Sequence, residues 1–272
     1  MHRIIFKIGG NQEDPQTEGG RPPCGSECFK PLLAKGGTMN KKDLPIFRKD
    51  RIPTGIGPLD IMLEGGYKFP ATVMLIGPAG SEKQAFAAHF VNEGLSEGDV
   101  VIYITTDKSP KEIEKAAAGW DLHFKGSGQL FFIDCYTQAG AEKSKGSPNI
   151  FKVGGPGALN EISLYISEIL RGHEGKRFRV VFHTFSTFAL YNEKSSLFKF
   201  IQSIESRVKG ANGTVLVLVE EGMHEESFLS TLRHSIDEEF SLGTKEKKKE
   251  LSGGTLPIAI PLKVGALGVE VE

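Results

Sequence analysis

The densest chemistry in the chain lies in Gly77-Pro78-Ala79-Gly80-Ser81-Glu82-Lys83-Gln84. An apolar run at 72–77 precedes it and a helix-length segment at 83–95 follows. This is the strand–loop–helix setting that the phosphate-binding pattern G-x4-G-K-[ST] requires. In that pattern loop N–H groups and the helix N-terminus surround phosphate oxygens, the lysine offsets their charge, and the Ser/Thr hydroxyl holds Mg²⁺. Gly77, Gly80 and Lys83 keep their places. Glu82 stands where the second glycine belongs, bringing a Cβ and a carboxylate toward the phosphates, so crowding and like charge both oppose binding. Gln84 replaces the hydroxyl with a longer amide, which suits the strict octahedron of Mg²⁺ poorly. The plainer reading is an ordinary strand–turn–helix whose glycines serve packing.

The flanking residues decide between the two. Arg51-Ile-Pro-Thr-Gly-Ile-Gly-Pro-Leu-Asp60-Ile-Met-Leu-Glu-Gly-Gly66 resembles the R-I-x-T-G-I-x-x-L-D-x-x-L-G-G-G signature of archaeal-type KaiC-like and RadA-like ATPases of the RecA superfamily. Val101-Ile-Tyr-Ile-Thr-Thr-Asp107-Lys-Ser-Pro110 is similar to the family's V-L-Y-V-S-x-E-E-S-P. Phe90-Val-Asn-Glu-Gly-Leu95 continues the likeness, and Val264-Gly265-Ala-Leu-Gly268-Val-Glu matches more loosely at the end. In physical terms the first signature is a short helix capped by Thr54 and stopped by Gly65-Gly66. The resemblance implies an α/β RecA-like P-loop domain with a mostly parallel central sheet, helices on both faces and a C-terminal β-hairpin. It also implies ATP in the loop at residues 77–84.

The same resemblance assigns roles to residues outside the loop. The first glutamate of E-E-S-P polarises the attacking water, and its counterpart is Asp107, one methylene shorter. The Walker B aspartate has His183 as its counterpart, after Arg179-Val-Val-Phe182. Imidazole supplies no negative charge for a Mg²⁺ shell, so no metal ligand is assigned; a satisfied polar residue at a strand end is the expectation for His183. A Lys-x-Arg near the closing hairpin reaches a neighbouring subunit's nucleotide in the family, whereas Thr255-Leu-Pro-Ile-Ala-Ile-Pro-Leu-Lys263 keeps one basic residue. Single losses of this kind cost ~10²-fold or more in rate. The sequence therefore points to a pseudo-ATPase that binds ATP, binds Mg²⁺ weakly or not at all, and acts as a regulatory or scaffold subunit. Its partners would be proteins, in a homo-oligomer or a hetero-oligomer with an active paralogue. Two alternatives stay open: a slow but genuine ATPase built on Asp107 and Lys83, and a recombination mediator resembling RadA paralogues.

The elements that must carry these residues are legible as periodicity. Near-continuous apolar runs at 72–77, 100–106, 129–135, 178–184 and 214–219 read as strands of a sheet buried on both faces. Helices are expected at 83–95, 110–119, 158–171 and 197–209. Residues 142–157 read as a surface loop, the charge run 245–250 as a solvated hairpin tip or loop, and 255–272 as a closing β-hairpin at the sheet edge.

Composition bounds the rest. With 33 Lys+Arg against 34 Asp+Glu there is no global field to hold nucleic acid or an anionic membrane. The acidic stretch Glu220-Glu221-Gly-Met-His-Glu225-Glu226, where RecA-type folds carry DNA loops, repels phosphate backbones, and the 143–152 loop with Lys145 and Phe151 offers at most a modest patch. Three cysteines, Cys24, Cys28 and Cys135, make no disulfide framework and fit a reducing, cytoplasmic setting. No apolar run reaches membrane-span length. Residues 1–38, rich in Gly, Pro and charge, read as a disordered tail or an over-extended start before Met39, with 39–272 forming the nucleotide-binding domain. A chain shortened to begin at Met39 is expected to keep its thermal midpoint; a large drop in calorimetry would show that the removed segment packs on the domain.

Overall fold

The computed structural model describes residues 48–137, 148–245 and 248–272. The readings made above for residues 1–38, Met39, Cys24, Cys28 and Lys145 lie outside the described residues. The chain order is β1 (Arg51–Ile52), α1 (Gly57–Met62), β2 (Tyr67–Lys68), β3 (Thr72–Gly77), α2 (Lys83–Glu97), β4 (Val100–Thr105) and α3 (Pro110–Ala118). It continues with β5 (Gln129–Asp134), β6 (Ile150–Lys152), α4 (Leu159–Gly172), β7 (Phe178–His183), α5 (Phe185–Tyr191) and α6 (Lys194–Gly210). The last elements are β8 (Gly213–Glu220), α7 (Glu226–Arg233), β9 (Glu238–Lys245), β10 (Lys248–Gly253), β11 (Ile260–Gly265) and β12 (Gly268–Val271).

Ten strands form one sheet in the order β12-β11-β10-β9-β3-β8-β7-β4-β5-β6. From β9 to β6 every neighbouring pair is parallel; β9 through β12 run antiparallel and close the sheet as two hairpins. Every residue of β3, β4 and β7 is buried, as the unbroken Val/Ile/Phe runs require when helices cover both faces. Helices α4 to α7 pack Ile162, Phe188, Ile201 and Phe228 on one face, and α1 to α3 pack Leu59, Phe86, Phe90 and Ile113 on the other. The architecture is the mostly parallel α/β RecA-like sheet expected from the sequence, with the C-terminal hairpin at its edge.

Three local expectations change. Thr54 is not the helix cap: α1 begins after Ile56 without a side-chain cap, and Thr54 instead donates its N–H and hydroxyl to Asp60 Oδ1, each at 2.7 Å. The carboxylate inside the helix thus folds the preceding turn back on itself. Within 142–157, residues 142–147 lie outside the described residues, and β6 extends the sheet beside β5. Within 245–250, residues 246–247 lie outside the described residues, Lys245 ends β9, Lys248 opens β10, and Lys249 pairs with Glu82.

The charged residues of the signature regions also hold the fold. Arg51 pairs with Glu238 at 2.8 Å, both side chains almost wholly buried, so β1 is tied to β9 across 187 residues. Arg179 is the second residue of buried β7 and is fully enclosed. Its Nε donates to Asp99 Oδ2 at 2.7 Å, its two Nη groups reach Glu97 and the carbonyls of Pro53 and Phe90, and its Cζ lies 4.5 Å from the Phe90 ring centroid. A Cβ at position 94 would sit 2.5 Å from Arg179 Cδ, so Gly94 is what lets α2 pass this side chain. Removing one member of such a buried pair typically costs about 3–5 kcal/mol, whereas a half-exposed ion pair is worth about 1 kcal/mol or less. Urea unfolding is expected to show a loss near the first figure for Arg179→Ala. Arg177→Ala, whose side chain pairs with the same Asp99 while partly exposed, should lose near the second.

Candidate nucleotide site

Parallel pairing brings the carboxyl ends of β3, β8, β7 and β4 side by side, and the register sets Gly77 opposite Glu220 and Thr105 opposite His183. Ligands of open α/β sheets bind at this edge. The loop after β3 turns through Gly80 (φ 76°) and Glu82 (φ 65°) into α2. A Cβ on Gly77 would lie 2.9 Å from Leu242 of β9, so the first glycine is required by the neighbouring strand as much as by a ligand. Helix α2 has no side-chain cap at its N-terminus, leaving its first N–H groups and the positive end of its dipole facing the loop. Uncapped helix starts of this kind suit anions.

Lys83 is buried, and its ammonium is already saturated. Nζ lies 2.8 Å from Gly77 O, 3.0 Å from Pro78 O, 3.0 Å from Ser81 Oγ and 3.0 Å from Glu220 Oε2. The loop and the end of β8 therefore hold the lysine that the pattern assigns to phosphate. Glu82 occupies a left-handed backbone conformation at the helix start, which costs a residue with a Cβ about 1–2 kcal/mol. Its carboxylate does not stand alone beside the loop, as the sequence reading supposed; it is bound by the Lys249 ammonium from β10. Glu220 and Lys249 are the site residues that sequence reasoning missed. The signal for Glu220 was a carboxylate one residue past the apolar run of β8; no local signal marks Lys249.

Where the family's metal-binding carboxylate is expected, His183 ends β7 buried, its Nδ1 2.9 Å from the Tyr103 hydroxyl and its Nε2 4.0 Å from Asp107 Oδ1. Burial holds the imidazole below its usual value, against an upward pull from Asp107, so the ring is neutral near pH 7. Burial pushes the Tyr103 phenol far upward, so it keeps its proton and can donate to the ring. Asp107 itself is about two-fifths exposed. It is placed by the turn that Thr105 Oγ1 closes on Lys108 O at 2.6 Å and by Thr106, whose N–H and hydroxyl bond His183 O. Gln84 faces a crevice of about 10 Å³ shared with Tyr103, Lys108 and His183, with room for one water at most.

Of the eight loop residues expected to hold nucleotide, Gly77, Ser81 and Lys83 are grouped around one ammonium, with Gly80 in the turn between them. Glu82 turns toward β10 and Gln84 turns into the crevice beside His183. Pro78 contributes its carbonyl, and Ala79 forms the tip between them. A neutral imidazole, an amide and an ammonium stand where hard anionic oxygens suit Mg²⁺ best, with Asp107 4.0 Å from the imidazole and Glu220 turned onto Lys83, and among the described residues no three His, Cys, Asp or Glu side chains are grouped to hold a metal.

Residues 52–254 match the family model described as "ATPase: KaiC". A UPF0273 protein of Methanopyrus kandleri is 26% identical over 193 residues, covering 69% of this chain and 74% of the relative. The circadian clock protein KaiC3 of Synechocystis is 31% identical over 94 residues, which is 34% of this chain and 19% of that protein. Among solved structures, a KaiC-like protein of Pyrococcus horikoshii superposes with a TM-score of 0.62 at 17% identity, over 82% of this chain and 98% of its own length. Among the described residues no helix is long and apolar enough to cross a membrane.

The state of His183 has a pH signature. Its proton affinity in the fold lies below the ordinary value of 6.5, so the folded chain takes up that proton less readily than the unfolded chain. The stabilisation is complete above that value and is lost as pH falls below it. In urea titrations between about pH 7.5 and 5, His183→Asn is expected to lose less stability than the unaltered protein. Identical profiles would show that the imidazole binds its proton equally in the folded and the unfolded chain.

Proposed function

The chain belongs to the KaiC family of ATPases, and we propose that within it this protein is a nucleotide-binding pseudo-ATPase serving as a regulatory or scaffold subunit. The observation that carries the reading is the replacement of an anionic metal shell by a neutral, hydrogen-bonded set: His183 on Tyr103, with Gln84 alongside. Phosphoryl transfer depends almost wholly on positioning and on charge stabilisation by the metal, the lysine and a base aimed at water. The base position holds the shorter Asp107, and the lysine is engaged by Glu220.

Membership of an ATPase family implies a nucleotide site, and the uncapped start of α2 with the Gly77–Lys83 turn is the part of the site that still suits phosphate. ATP is the proposed ligand, bound by the loop. The work left to such a domain is to present a nucleotide-sensitive surface to protein partners, either copies of itself or an active paralogue. A recombination role is disfavoured by the acidic run that starts at Glu220 at the end of β8, whose exposed Glu221, Glu225 and Glu226 oppose a phosphate backbone.

Calorimetry with ATP and a phosphate-release assay test the proposal together. The expected result is ATP binding that Lys83→Ala abolishes, with turnover at background in the unaltered protein. Glu82→Gly with Gln84→Thr should leave turnover at background, and measurable hydrolysis should appear only when His183→Asp and Asp107→Glu are added, a gain of ~10²-fold or more. Robust hydrolysis by the unaltered protein, lost in Lys83→Ala, would sink the pseudo-enzyme reading in favour of a genuine ATPase.

A further inference from the structure

We propose that Lys249 is a second phosphate-binding cation, supplied in cis from β10 and held by Glu82 until a polyphosphate displaces that carboxylate. The loop then binds nucleotide through two lysines without a divalent metal. The proposal rests on the reading of the loop as a nucleotide site and names how that site recognises its ligand.

Strand register places Lys249 there. β9 lies beside β3, and β10 lies beside β9 with Lys249 opposite Thr244 and Leu251 opposite Leu242. Lys249 and Leu251 are two residues apart in one strand and so share a face. Leu251 is buried in one cluster with Phe86 and Phe90 of α2, so Lys249 emerges on the α2 side, two strands from β3, where its ammonium contacts the Glu82 carboxylate. Glu82 is the residue that starts α2, the point toward which the helix dipole and free N–H groups are directed.

Charge counting gives the site its logic. The cations Lys83 and Lys249 are each matched by one carboxylate, Glu220 and Glu82 respectively. Without Lys249, Glu82 would oppose an incoming phosphate; with it, the pair is neutral. The two pairs differ in how easily they open. Lys83 is almost wholly buried with four acceptors, whereas Lys249 and Glu82 are 31% and 35% exposed, and exposed pairs of this kind contribute little to stability. A multiply charged phosphate competes well against one half-solvated carboxylate, so Lys249 is the cation that can change partners. Gln84 and His183 bring no negative charge to the metal's usual place, where Asp107 lies 4.0 Å from the His183 ring, and a lysine above the loop supplies positive charge that the metal would otherwise bring.

Isothermal calorimetry of ATP and of inorganic tripolyphosphate with the full chain, in EDTA and in Mg²⁺, tests the proposal. The expected affinity for ATP is the same within about threefold with and without the metal. In EDTA, Lys249→Gln should weaken ATP and tripolyphosphate alike by about tenfold or more, and Glu82→Gln should tighten both by a similar factor. The slope of affinity against salt should become shallower in Lys249→Gln, a change that a purely structural role would not produce. The thermal midpoint of Lys249→Gln should stay close to that of the unaltered protein, which separates lost binding from lost fold. ATP binding that rises tenfold or more with Mg²⁺, or that ignores Lys249→Gln while Lys83→Ala abolishes it, overturns this inference and leaves the nucleotide reading standing. No binding of ATP by either the unaltered protein or Glu82→Gln overturns both.

Discussion

Parallel pairing of β3 with β8 on one side and β9 on the other sets Gly77 level with Glu220 and Ile76 level with Ser241. Everything at the site follows from that register. Because helices cover both faces of the sheet, polar chemistry has no place along the strands except where a charge is fully paired, as at Arg179. The strand ends are the remaining positions, and the sheet order puts the loop, Glu220, His183 and Asp107 in a row along one edge. The same register carries β10 close enough for Lys249 to reach the start of α2.

His183 sets the resting energetics of that edge as well as its chemistry. Carboxylates grouped to hold a metal repel one another when no metal is present. Here Asp107 faces a neutral ring at 4.0 Å, that ring is held by Tyr103, and Glu220 is matched by Lys83. Lys83, Glu220, Glu82 and His183 each have a partner within the chain. The backbone of Glu82 is strained, and its carboxylate recovers part of that strain by pairing with Lys249.

The parallel sheet was legible because its strands are unbroken apolar runs, and all five runs reappear with bounds shifted by at most one residue. Elements whose partners are polar or distant were not. β9 reads as an acidic stretch, yet Glu238 is buried against Arg51 and Phe240 alternates with it into the core. β6 has only three residues and gains its identity from β5 alone. At the site, local spacing located Gly77, Gly80, Lys83 and Asp107, but the side chains that decide their state lie far along the chain. Glu220 is 137 residues from Lys83, and Lys249 is 167 residues from Glu82. Such pairs depend on which strands become neighbours, and periodicity carries no information about that.

The residues that resemble the family most closely are those that hold the fold, and those that depart from it sit where only the reaction would need them. Arg51 ties β1 to β9, Asp60 organises the turn into α1, and Gly94 makes room for Arg179; none of these touches the loop's ammonium or the crevice beside His183. The two sets share no hydrogen bond or ion pair described above, and changes at sites without shared partners combine nearly independently. The chain could therefore exchange the residues at 82, 84 and 183 while the sheet, its register and the phosphate-facing start of α2 stayed as they are. A domain built this way would keep its uncapped helix start whatever stands at those three positions, which is the arrangement that the proposed nucleotide sensing without turnover needs.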